Sequence, residues 1–146
     1  WLRPWKFIQI SGSGRKKLGQ AFINATKRKE KINNEMINKL LLMPFRSPLI
    51  IVIIAKIAKR KNVPPIEQIQ STAAATQNML IALHDMGFGA FWRTGKFVSS
   101  NNKFITEELG LTEGNDVLGY LYVGTQSAEP KNIPKLYNKD FVSFWN

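Results

Sequence analysis

One domain of alternating strands and helices is what this sequence predicts, on three observations. The 146 residues are 44% hydrophobic, enough for a single sizeable core. The run from Leu49 to Ala58 is almost all Ile, Val and Ala, as in a strand buried on both sides. The run from Pro64 to Met86 places apolar residues at helical spacing instead. Two periods in one chain, separated by Gly and Pro, make a mixed fold.

In chain order, Trp5 to Ile10 reads as a strand closed by the Ser11-Gly12-Ser13-Gly14 turn. A helix follows from Arg15 to about Lys29, with Leu18, Phe22 and Ala25 on one face. A second helix covers Asn34 to Met43, and Pro44 to Pro48 breaks it. Leu49 to Ala58 is the central strand. Pro64 and Pro65 open the longest helix, because a first-turn proline loses no hydrogen bond there. Its expected core stripe is Ile66, Ile69, Ala73, Leu80 and Leu83, and Gly87 stops it. A strand over Gly89–Arg93, a helix over Asn101–Leu109 and a strand over Asp116–Val123 complete the order, the last entered through a turn flanked by Gly110 and Gly114. The tail from Pro130 carries Tyr137, Phe141, Phe144 and Trp145, and so is expected to dock on the body or on a partner subunit. No internal repeat and no linker divides the chain, which reads as a single domain over 1–146. Because it opens on Trp1-Leu2-Arg3-Pro4-Trp5, it is expected to begin inside a folded segment, N-terminally truncated, with the cytoplasm as default compartment.

Composition removes several function classes. There is no cysteine, so thiolate metal sites, disulfides and Cys nucleophiles are excluded, and a single histidine, His84, excludes multi-His metal centres. The longest apolar run is too short to cross a bilayer. The net charge of +11 comes in basic runs at Arg15–Lys17, Lys27–Lys29 with Lys31, and Lys59–Lys61. Such a field attracts nucleotides, nucleic acid or anionic surfaces. No aromatic interleaves these runs as a base-stacking platform requires, so they read first as solvated faces and nucleic acid is not the expected partner.

Side chains suited to catalysis are scarce. Ser11–Lys17 looks superficially like a phosphate-binding loop but lacks the Gly-Lys-hydroxyl ending. Glu107 and Glu108 are adjacent and diverge by about 100° on a helix, so they cannot act as one pair. His84 at a helix end reads as structural. No catalytic residue and no metal ligand is assigned. That shortage suits an enzyme whose cofactor performs the chemistry. The best candidate is Gly87-Phe88-Gly89-Ala90-Phe91-Trp92-Arg93-Thr94-Gly95, where a flat apolar ring, a permanent cation and a hydroxyl follow two glycines, a mixture suited to a planar, anionic ligand such as a flavin nucleotide.

Four stretches in order carry a family resemblance: Pro4-Trp5-Lys6-Phe7, Pro44-Phe45-Arg46-Ser47-Pro48-Leu49-Ile50, the Gly87–Gly95 segment, and Val117-Leu118-Gly119-Tyr120-Leu121-Tyr122-Val123-Gly124-Thr125. The ending Asp140–Trp145 adds to them. Together the chain resembles the compact flavin-dependent NAD(P)H nitroreductases. The resemblance implies an α+β fold, a central mixed or antiparallel sheet flanked by helices, in an intertwined homodimer with FMN at the subunit interface. It implies that Trp92, Arg93 and Thr94 contact FMN, and associates Ala82, Leu83, His84, Asp85, Met86 and Gly87 with NAD(P)H. The family's N-terminal Arg-Arg-Ser grip on the flavin phosphate has no counterpart here. The implied activity is hydride transfer from NAD(P)H through FMN to nitroaromatic or quinone acceptors, with ping-pong kinetics. Two alternatives remain: a non-catalytic nitroreductase-like protein, and a basic module that binds anions or nucleic acid.

Overall fold

The computed structural model describes residues 2–98, 103–128 and 141–145. Its strands are β1 (Trp5–Ser11), β2 (Leu49–Lys56), β3 (Gly89–Arg93) and β4 (Asn115–Gly124). Its helices are α1 (Gly14–Lys27), α2 (Asn34–Leu42), α3 (Pro65–Asp85) and α4 (Lys103–Glu108), and one 3-10 turn spans Met43–Arg46. The strands form one sheet in the order β1-β2-β4-β3, and every pairing is antiparallel. This is the expected α+β arrangement, with the antiparallel form of the sheet.

Alternation along β2 sets two cores. Ile50, Val52 and Ile54 join Leu18, Phe22 and Ala25 of α1 and Leu40 of α2 on one face. Ile53 joins Leu121 and Val123 on the other, beneath Met79, Leu80 and Leu83 of α3. The strand is therefore buried on both sides, as its unbroken apolar run requires. One extra residue in β4 shifts the register between Ile53 and Ile54, so Ile53 stands opposite Gly119 and Ile54 opposite Val117.

Three elements differ from expectation. β2 ends at Lys56 rather than Ala58, because the side chain of Gln68 captures Ala58: its Oε1 accepts from the Ala58 N–H at 2.9 Å and its Nε2 donates to the Ala58 carbonyl at 2.9 Å. α1 ends at Lys27 rather than Lys29, where the Lys29 N–H turns back to the Thr26 carbonyl at 2.9 Å. α3 has the expected start and stop, but a different buried line. Gln68, Thr72 and Thr76 face inward, while Ile66 and Ile81 are 56% and 59% exposed. The threonines can be buried because each hydroxyl donates within its own helix, Thr72 to Gln68 O at 3.0 Å and Thr76 to Thr72 O at 2.9 Å. Of the expected stripe, Leu80 and Leu83 pack against the sheet and Ile66 does not.

The tail does not dock on the body of its own chain where it is described. Phe141 is 70% and Trp145 99% exposed, since nothing among the described residues covers them. Asn101 at the expected start of α4, and Tyr137 with the segment from Pro130 to Asp140, lie outside the described residues.

Candidate functional site

The Gly87–Gly95 segment is built by a helix stop and an edge strand. Gly87 takes φ +80°, which lets its N–H reach His84 O at 2.9 Å and the Phe88 N–H reach Leu83 O at 2.9 Å. This double closure ends α3 cleanly and aims the chain into β3. β3 pairs with β4 on one side and has no other strand neighbour among the described residues.

Successive strand residues point to opposite faces, and the consequence here is chemical. Trp92 turns toward α3, half-buried in the smaller core, with its Nε1 donating to Leu118 O at 3.4 Å. Its ring occupies the notch over Gly119, where a Cβ would stand 2.3 Å from the indole nitrogen and φ is +154°. Only glycine permits that seat. Arg93 turns the other way. With exposed Thr94, Gly95, Lys96 and Phe97 and with Lys39 and Met43 it lines a cavity of about 220 Å³. The Trp92 ring and the Arg93 guanidinium therefore lie on opposite faces of the sheet, although the two are neighbours in sequence.

The loop after Arg93 is held from below. Phe97 stacks on Phe22 at 4.2 Å between ring centroids, and the Tyr120 hydroxyl donates to Phe97 O at 2.9 Å. Burial holds the Tyr120 phenol far above its ordinary pKa, with the neighbouring Tyr122 adding to the shift. The hydroxyl thus stays a neutral donor. Lys96 is braced to Glu30 at 3.2 Å.

Two residues on this side carried no signal as a pair in the sequence. Arg46 ends the 3-10 turn in the Pro44–Pro48 stretch, which reads as a helix breaker and as part of a family stretch, and Tyr122 lies in β4 directly opposite Phe91. Together with Ser47, Gly89, Phe91 and Thr125 they line a second cavity of about 410 Å³. The Tyr122 pKa is raised by burial and drawn back by the charges of Arg93 and Arg46, so both cations act on one phenol. Among the described residues no carboxylate lines either cavity.

A family model described as the nitroreductase family matches residues 2–125. The chain belongs to the nitroreductase family. The Escherichia coli K12 protein YdjA, which carries the name of an NAD(P)H nitroreductase, is 34% identical over 140 residues, covering 91% of this chain and 73% of that protein. A Haemophilus influenzae protein with the same name of function is 28% identical over 145 residues, covering 98% of this chain and 77% of its own. Among solved structures, a nitroreductase-like protein from Bacillus cereus superposes with a TM-score of 0.75 at 24% identity, over 97% of this chain and 73% of that one. An FMN-dependent nitroreductase from Clostridium difficile R20291 gives 0.62 at 23% identity, over 99% and 77%. These likenesses establish the nitroreductase fold.

Within that fold the sequence candidates separate into three places. Arg93 and Thr94 share the cavity beside α2. Trp92 belongs to the opposite core. Ala82, His84, Asp85, Met86 and Gly87 are exposed around the end of α3, while Leu83 packs against the sheet. Part of the basic surface is already engaged: Arg28 pairs with Glu107 at 2.5 Å and lies over the Phe104 ring at 4.1 Å, and the Arg15 guanidinium donates to Ser47 O at 3.0 Å. Among the described residues no helix is long and apolar enough to cross a membrane.

Proposed function

We propose that this nitroreductase-family chain is an FMN-dependent oxidoreductase that draws reducing equivalents from NAD(P)H and delivers them to nitroaromatic or quinone-type acceptors. The observation that carries the reading is Arg93. Its guanidinium stands at the end of an edge strand, in a cavity with Lys39 and Lys96 and no carboxylate, without a hydrogen-bond or ion-pair partner among the described residues. A cation left unpaired beside other cations is a site awaiting an anion. The donor set fits a flavin phosphate: Arg93 offers a planar fork, the Thr94 hydroxyl a neutral donor, and Lys39 and Lys96 a supporting field.

FMN, when bound, supplies the redox chemistry, accepting a hydride and passing electrons on. The chain's own work is to bind, orient and exclude water. Arg93 and Thr94 would hold the phosphate. Trp92, seated in its Gly119 notch, would fix the strand that carries Arg93, touching the ligand through main chain alone. The exposed end of α3, from Ala82 to Gly87, is where the nicotinamide cofactor is expected to approach. Exposed Ile66 and Ile81 and the aromatic tail support assembly as a homodimer, because a lone protomer leaves them in water.

The test is the flavin phosphate itself. Arg93→Gln should weaken FMN binding about ten-fold or more, the value of a charge-assisted hydrogen bond, while riboflavin, which lacks the phosphate, binds both forms alike. Equal FMN affinity in the two proteins, read by flavin fluorescence quenching, would remove Arg93 from the site. A wild-type protein that stays colourless with FMN would remove the enzyme reading.

A further inference from the structure

The larger cavity on the same side contains a buried polar group with nothing to bind. Tyr122 is 8% exposed, and its hydroxyl has no hydrogen-bond partner among the described residues. Buried hydroxyls are normally satisfied, so one that is open and faces a cavity marks a place for a ligand atom. Arg46 lines the same cavity, and it too has no hydrogen bond or ion pair among the described residues. The exposed ring of Phe91 stands directly across from Tyr122 on the same face of the sheet.

We propose that Arg46 and Tyr122 form a second phosphate seat, separate from that of Arg93, which recognises the 2′-phosphate of an adenosine whose ring lies on Phe91, and so selects NADPH over NADH. The charge of Arg46, with the field of Arg93 from the neighbouring cavity and no carboxylate among the described lining residues, matches a dianionic phosphate monoester better than a singly charged carboxylate. An aromatic ring immediately beside the cation and the hydroxyl fits a ligand whose own ring and phosphate are close together. In 2′-phosphoadenosine they share one ribose, whereas the flavin phosphate is separated from its ring by a whole ribityl chain. Finally, β3 leads out of the α3 end, so the seat adjoins the segment where the nicotinamide cofactor is expected. Holding the Tyr122 phenol neutral keeps it a donor through the physiological range.

This inference rests on the NAD(P)H reading above, but its test needs no flavin. Titrations of the purified protein with adenosine 2′,5′-bisphosphate and with 5′-AMP, followed by calorimetry, should show the bisphosphate binding at least about ten-fold tighter. Arg46→Gln and, separately, Tyr122→Phe should abolish most of that preference and leave 5′-AMP and FMN affinities unchanged. Tyr122→Phe keeps the ring, so the seat can be tested without a packing defect. Equal binding of the two nucleotides by the wild type overturns the proposal. So does inorganic phosphate competing as well as the bisphosphate, since the adenosine would then go unrecognised. An Arg46→Gln protein that loses FMN affinity and keeps its nucleotide preference assigns the seat to the flavin phosphate, and also overturns it.

Discussion

The two faces of the sheet are built on different terms. The face toward α1, α2 and α4 buries Leu18, Phe22, Leu40, Ile50, Val52, Ile54 and Val117 in one continuous core, with aromatic rings locked at its centre. The apolar cluster on the face toward α3 has Ile53, Leu121 and Val123 as its buried members among the described residues, and the helix meets it with a line of Gln and Thr. The first face holds the larger core, but at its β3 edge it opens into the cavities of Arg93 and Tyr122 and leaves Phe91 exposed. The second leaves Ile66 and Ile81 outside, and it lies behind the strand that carries the candidate site. The larger core and the exposed apolar side of α3 thus lie on opposite sides of one sheet.

The largest effect expected from that division is at Phe22. Phe22→Ala empties the contact with both Phe97 and Tyr120, and should cost about 3–5 kcal/mol of unfolding free energy in urea. A loss below 1 kcal/mol would mean that the first face is not the dominant core. A smaller, pH-dependent effect belongs to Tyr120. Its pKa is raised on folding, so the stability it contributes is fully present below the unfolded value near 10 and is lost as pH rises beyond it. Stability measured from about pH 8 to 11 should fall at the alkaline end, and Tyr120→Phe should flatten the fall while losing about 1 kcal/mol at neutral pH from the missing bond to Phe97. An unchanged alkaline slope would discard the linkage. The smallest effect on folding is expected at Ile81. Ile81→Glu should shift monomer stability by less than about 0.5 kcal/mol, yet should weaken self-association in sedimentation velocity. A dimer that is indifferent to a charge there would mean that the α3 face is not the assembly surface.

What could be read from the sequence followed from unambiguous local signals. The β2 run has almost no polar interruption, Pro64 and Gly87 bracket α3, and the four family stretches fall in order. The rotation of α3 was hidden, because hydropathy counts Thr72 and Thr76 as polar and takes no account of hydroxyls that bond back to their own helix. The division between Trp92 and Arg93 was available in principle, since adjacent strand residues always diverge. It was masked by reading Trp-Arg-Thr as one unit. Arg46 and Tyr122 lie 76 positions apart in the chain. Only the pairing of β2 and β4, which sets Ile50 opposite Tyr122, brings the end of the 3-10 turn to that phenol.

Gln68 has a consequence for one of the chain's basic turns. Its amide holds both polar groups of Ala58 and, at 3.1 Å, the Val63 carbonyl, closing the span from 58 to 63 like a clasp. Lys59, Arg60 and Lys61 are strung between those two anchors. Their charge is therefore displayed from a fastened arch rather than a loose thread, and an anionic partner meeting it encounters a shape as well as a field.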